Sequence, residues 1–203
     1  MFEGLLDQAI SGLANGAIYA SVALALVMIY TTTDHINFAQ GEMALFSTYL
    51  GWALINAGMP YWGAFGATIA VSTVIGAVIE RTLTRPTEGQ SMLALIIVFI
   101  GLMTFLNSLA GLLFGYETKS MPSPFDSQIW KVSSHVAPHQ LGMLAVIGPM
   151  LLLVYLFFRF TRLGLQMRAA AQNPLSSRLV GVNVGAMLCL GWALAAGIGA
   201  LAG

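Results

Sequence analysis

The sequence predicts an all-α fold, a polytopic transmembrane helical bundle of about six spans, and three observations carry the prediction. Charged residues make up only 8% of the 203, against roughly 25% in soluble domains, too few to build a water-facing surface. Mean hydropathy is +0.82. Charge-free windows long enough to cross a bilayer as a helix, about 17 to 25 residues, recur along the chain and are separated by turn signals.

The first window lies between Asp7 and Asp34, with Ala9 to Tyr30 as span one. The window from Glu42 to Glu80 is too long for one helix, and Asn56-Ala57-Gly58-Met59-Pro60 inside it marks a turn. It predicts a hairpin of spans two and three. Ser91 to Tyr116 is span four, and Glu117 to Gln140, with three prolines and both lysines, is an aqueous loop. Span five runs from Leu141 to Phe158, an arginine-rich stretch follows, and Ala186 to Gly203 is span six. The final Gly197-Ile198-Gly199-Ala200-Leu201-Ala202-Gly203 has no polar terminator, so further C-terminal spans are expected to be missing. The whole of 1–203 is expected to be one transmembrane domain, with 159–185 as a cytoplasmic loop within it.

Lys and Arg are retained on the cytoplasmic side of short loops. Arg81 and Arg85, then Arg159, Arg162, Arg168 and Arg178, lie in loops of one parity, and Lys119 and Lys131 lie in the other. This bias predicts a cell (inner) membrane protein with its N-terminus outside. The acidic start, with Glu3 and Asp7, lacks the basic region of a cleaved signal peptide. A net charge of zero excludes a basic nucleic-acid face. Cys189 is alone, which rules out an internal disulfide. His35, His135 and His139 are too scattered to suggest a metal, so no cofactor is expected.

Two places break the membrane rules. Met43 to Ile55 is too short to span about 30 Å of hydrocarbon, so its helix is expected to begin at Asn37, with Asn37 as N-cap and Gln40 as its partner. That start draws Gln40 and Glu42 toward the membrane interior, where ionisable groups face a cavity or a partner. The alternative is an ordinary cytoplasmic turn with Glu42 at the headgroups. In span one, Asn15 and Tyr19 share a helix face beside the small residues Gly12, Gly16 and Ala20. Helix packing accounts for the glycines; for Asn15 and Tyr19 it competes with a place on a solute pathway. Asn107 in span four carries the same pair of readings with less weight.

Leu163 to Gln172 has strong helix formers, Asn173-Pro174 breaks it, Leu175 and Leu179 stand four apart, and Gly181 ends the second turn. A helix, turn and helix of this kind suits a groove in a partner protein. It suits equally a membrane surface, with its arginines on lipid phosphates.

With these residues placed, the chain resembles permease subunits of the branched-chain amino-acid type of ABC importer, a group that includes urea and short-amide permeases. Four stretches carry the resemblance: Asn15-Gly16-Ala17-Ile18-Tyr19-Ala20 with Tyr30; Ile36-Asn37-Phe38-Ala39-Gln40-Gly41-Glu42; Glu80-Arg81 with Arg85-Pro86; and Thr161-Arg162-Leu163-Gly164 with Arg168-Ala169, Ala171, Asn173, Leu179, Gly181 and Asn183. The departures include Gln40 for a usual His and Gly185-Ala186 for Asp-Arg. The resemblance implies a pore-forming subunit for amino acids or small amides. Asn15, Tyr19, Asn37, Phe38, Gln40 and Glu42 would border its substrate pathway, and Gly164, Arg168, Ala171, Asn173, Leu179 and Gly181 would couple it to an ATPase. The implied partners are a second permease subunit, cytoplasmic ATPase subunits and an external solute-binding protein. The chain has no Gly-x-x-x-x-Gly-Lys-Ser/Thr loop to cradle ATP phosphates, so it is not expected to be an enzyme. The rival reading is an ion-coupled secondary transporter or channel acting through Glu42 and Asp34, which needs no docking segment.

Overall fold

The computed structural model describes residues 2–33, 36–87, 90–121, 123–125 and 138–203. Asp34, Glu88, Lys131 and His135 lie outside the described residues. Among those described, the helices are α1 (Phe2–Thr33), α2 (Gln40–Asn56), α3 (Tyr61–Ile79), α4 (Met92–Phe114), α5 (Pro138–Phe160), α6 (Arg162–Gln172), α7 (Pro174–Leu179) and α8 (Val184–Ala202). All six expected membrane helices are present in their expected places. Five of them, α1, α3, α4, α5 and α8, are long and apolar enough to cross a membrane. With 17 residues, α2 falls short.

The shortfall corrects one expectation. Asn37 does not cap α2, which begins three residues later, at Gln40, with Ala39 in the cap position and no side-chain cap bond. Residues 36–39 are non-helical instead, and Asn37 Oδ1 accepts from the Ala39 backbone N–H at 3.0 Å. Other boundaries follow local chemistry. Ser91 caps α4 by accepting from Ala94 N–H, Thr161 caps α6, Asn173 caps α7 and Asn183 caps α8. Pro60 precedes α3 in an extended conformation, and Gly58, at φ +92°, makes the turn before it.

Cross-helix pairs set the directions of travel. Ser47 bonds to Ser72, while Glu42 meets Asn107 and Tyr49 stacks on Phe114. Thus α2 runs parallel to α4 and antiparallel to α3. Ser11 on α1 accepts from Gln140 near the start of α5 at 2.7 Å. One end of the bundle therefore collects the turn at 57–60 and the 115–125 segment. At the other end lie the α3–α4 connection, α6 and α7, with Arg81, Arg85, Arg159, Arg162, Arg168 and Arg178.

Helix α8 forms the centre of the bundle. Trp192 is fully buried, with Phe99 of α4 at a centroid distance of 5.8 Å and Ile29 and Ala25 of α1 in the same core cluster. Small residues let α3 reach α8 closely: a β-carbon on Gly76 would sit 2.6 Å from the Trp192 carbonyl oxygen. Past Ile79, α3 continues through a π-helical turn, Glu80–Thr84, and a 3₁₀ turn, Arg85–Thr87.

Candidate functional site

The start of α2 is deep in the bundle. Gln40 Nε2 donates to the Ala195 carbonyl at 3.4 Å, and Ala195 lies about 16 Å of helix rise beyond the first residue of α8. Asn107, which meets Glu42, lies about 22 Å of rise beyond the first residue of α4. Both measures put the 36–42 segment well inside the span. Non-helical backbone at that depth requires burial in protein or a water-filled cavity, and here protein supplies it. Asn37 and Gln40 are 0% and 1% exposed. Asn37 Nδ2 donates to Gln40 Oε1 at 3.4 Å and approaches Met43 Sδ at 3.5 Å. Gly199 makes the space for Gln40, since a β-carbon there would meet Nε2 at 2.7 Å.

Glu42 and Phe38 point differently. Phe38 is exposed, and Glu42 is half-buried at the edge where α2 meets α4. Asn107 Nδ2 donates to both Glu42 carboxylate oxygens at 3.2 Å. Thr104, one turn before Asn107, and Ser108, the residue after it, are also exposed on α4. Among the described residues no cation forms an ion pair with Glu42; the ion pair they contain is Glu80–Arg85. Asn107 carries little weight on sequence alone, although a lone amide in an otherwise apolar span four is a usable signal.

Asn15 and Tyr19 do not join this cluster. Both are exposed on α1, Tyr19 to 75%, and no atom lies within 4 Å of a β-carbon built on Gly12 or Gly16. That face of α1 is not covered by the described helices.

At the end of the bundle that holds the 57–60 turn, a cavity of about 410 Å³ opens between α2, α3, α5 and α8. Ser47, Thr68, Tyr61, Phe65 and His139 help line it. Thr68 Oγ1 is buried there without a hydrogen-bond partner. Sequence reasoning missed Ser47 and Thr68, because hydroxyls in membrane helices commonly bond to their own backbone, as Thr73 does to Ile69.

At the opposite end, α6 and α7 form the expected helix, turn and helix, and Gly181 closes it at φ +86°. The α6 face with Gly164, Met167 and Ala170 is buried, and Met167 and Ala170 pack with Val184 and Met187. Gly164 is required there, because a β-carbon would lie 2.5 Å from the Phe157 carbonyl oxygen. Ala171 is half-buried, next to this inward face. Arg168 and Asn173 are exposed, and Leu179 is 84% exposed, with Leu175 and Val180 beside it. The outward apolar surface is therefore formed by α7 together with Leu163 and Leu165 of α6.

Comparison with known proteins agrees with this architecture. Residues 8–203 match the family described as branched-chain amino acid transport system / permease component. The chain belongs to this family. It is 28% identical to the high-affinity branched-chain amino acid transport system permease protein LivH of Escherichia coli, covering 100% of this chain and 70% of the relative. It is also 28% identical to the permease protein BraD of Pseudomonas aeruginosa, covering 97% and 69%. A probable LivH permease of Methanocaldococcus jannaschii is 23% identical, covering 90% and 60%. No solved structure matches the chain. The protein is thus a multi-pass permease component of a branched-chain amino acid ABC transport system. Permease subunits of such systems carry neither ATPase activity nor a cofactor.

Proposed function

We propose that the solute route of this permease runs along the α2–α4 edge, with the 36–42 segment as its wall. The Glu42–Asn107 pair carries the proposal: two polar side chains far inside a membrane helix bundle, on its open side, need water or a polar partner there. Asn37 and Gln40 act behind them, holding the non-helical backbone against α8. Phe38 provides apolar surface on the open side. Asn15 and Tyr19 lie on the uncovered face of α1, where they meet either the route or a neighbouring helix.

In this reading a second permease subunit faces the open edge, and an external solute-binding protein delivers branched-chain amino acids at the end with the 410 Å³ cavity. Cytoplasmic ATPase subunits receive α6 and α7 through Leu179, Arg168 and the turn residues Asn173 and Gly181, with Gly164 and Ala171 seating the segment. The N-terminus is outside in this reading, which the arginines gathered at the α6–α7 end support. Membrane lipid covers the remaining apolar faces.

The test is aqueous access. In a Cys189→Ser background, Leu45→Cys, one turn along α2 from Glu42, is expected to react with a small charged thiol reagent in the assembled transporter. Leu153→Cys, on an exposed apolar face of α5, is expected to react far more slowly. Equal, slow reaction at both positions would place the α2–α4 edge in lipid and overturn the route.

A further inference from the structure

We propose that Glu42, held by Asn107, binds the α-ammonium group of the solute as it passes. The inference rests on the route proposed above and names the chemistry of its recognition point.

An ionised carboxylate at membrane depth requires compensation, by a cation or by several donors. Within the described residues Glu42 has one donor, the Asn107 amide, shared between its two oxygens at 3.2 Å each. A single shared donor leaves most of the acceptor capacity of a carboxylate unused. The remaining acceptor capacity is open to a partner from outside these helices. An amino acid carries a suitable one, since an ammonium group offers three donors and a full positive charge.

The surroundings fit the rest of such a molecule. Phe38, in the non-helical segment before α2, and Leu45, one turn along α2 from Glu42, are both exposed, and Thr104 and Ser108 are exposed near Asn107 on α4. One side of the carboxylate thus offers apolar surface to an aliphatic side chain, and the other offers the Ser108 hydroxyl to a carboxylate, the Thr104 hydroxyl being donated to the Ile100 carbonyl oxygen. Asn107 orients Glu42 through its amide NH2, and the remaining lone pairs leave each carboxylate oxygen available to a second donor.

The test uses three molecules of one shape: leucine, 3-methylbutylamine, which keeps only the ammonium, and 4-methylpentanoate, which keeps only the carboxylate. Each is added to the full transporter carrying Leu45→Cys in the Cys189→Ser background, and thiol labelling is followed. Leucine and 3-methylbutylamine are expected to slow labelling several-fold, and 4-methylpentanoate to leave it unchanged. Glu42→Gln is expected to abolish the protection, Glu42→Asp to retain part of it, and Asn107→Leu to weaken it. Protection by 4-methylpentanoate equal to that by leucine, or protection that survives Glu42→Gln, would overturn the ammonium site while leaving the aqueous route standing. Labelling in Glu42→Gln that is fast, with no protection by any of the three molecules even in the parent, would mean that Glu42 meets a cation of the neighbouring subunit instead. Absence of labelling in the parent would remove the route and the inference together.

Discussion

Arg85 Nη2 donates to the Gly185 carbonyl oxygen at 2.8 Å, tying the turn after α3 to the first residues of α8. The same guanidinium gives its Nε proton to Glu80 Oε1 at 3.3 Å, and Glu80 is 0% exposed. Gly185 lets the guanidinium approach closely, since a β-carbon there would lie 2.9 Å from Arg85 Nη2 and displace the end of that side chain. The link joins the two membrane helices that border the cytoplasmic loops expected from the sequence.

Removing the cation from this link leaves a buried carboxylate alone. Arg85→Ala is expected to cost on the order of 1–3 kcal/mol, below the usual 3–5 for a buried pair because Arg85 is partly exposed. Thermal unfolding of the purified transporter measures it. The double variant Glu80→Gln/Arg85→Ala is expected to recover part of the loss, and a double variant no more stable than Arg85→Ala would show that the pair does not act as a unit.

Close packing of α3 on α8 makes Gly76 intolerant of a side chain. Gly76→Val is expected to destabilise the fold by roughly 1–3 kcal/mol through overpacking, seen as reduced yield of monodisperse protein. Gly12→Ala and Gly16→Ala, whose β-carbons meet nothing among the described residues, are expected to leave the yield unchanged. An equal loss at all three positions would show that the α3–α8 contact has no special role.

Orientation is tested by impermeant thiol labelling of intact cells in a Cys189→Ser background. Ser120→Cys, in the segment after α4, is expected to label from outside, and Ser176→Cys, on α7, only after the membrane is opened. The reverse pattern would invert the topology.

Coupling is tested on the exposed apolar surface of α7. Leu179→Asp is expected to remove the ATPase from the purified complex, since a desolvated, unpaired charge in an interface costs several kcal/mol. Gln166→Asp, at an exposed position of α6, is expected to leave the complex intact. Retention of the ATPase by Leu179→Asp would return α6 and α7 to the membrane surface.

The bundle was legible because lipid imposes length and apolarity on every spanning helix. Spans one, three, four, five and six follow from those rules alone, and the break at Asn173-Pro174 follows from proline chemistry. The start of α2 was less legible. The length rule correctly marked Met43 to Ile55 as too short, and the helix does begin earlier, at Gln40, but not at Asn37, because the bundle buries 36–39 as a non-helical segment. The Glu42–Asn107 pair joins residues 65 positions apart, and no local pattern encodes such a contact. The coupling surface shows the same limit. The resemblance placed Gly164 and Ala171 with the coupling residues, yet small residues also serve packing, and α6 turns its Gly164 side against α5 and α8.

The backbone contact at Gly76 also divides the chain mechanically. Two helices that touch main chain to main chain, and are tied again at Arg85 and Gly185, resist sliding past each other and tilt together as one stiff lever. The α2–α4 border is joined differently, by stacked rings at Tyr49 and Phe114 and by one shared amide proton donor at Asn107. Rings can glide and a single amide can swing, so compliance is concentrated on the side where the solute is proposed to pass.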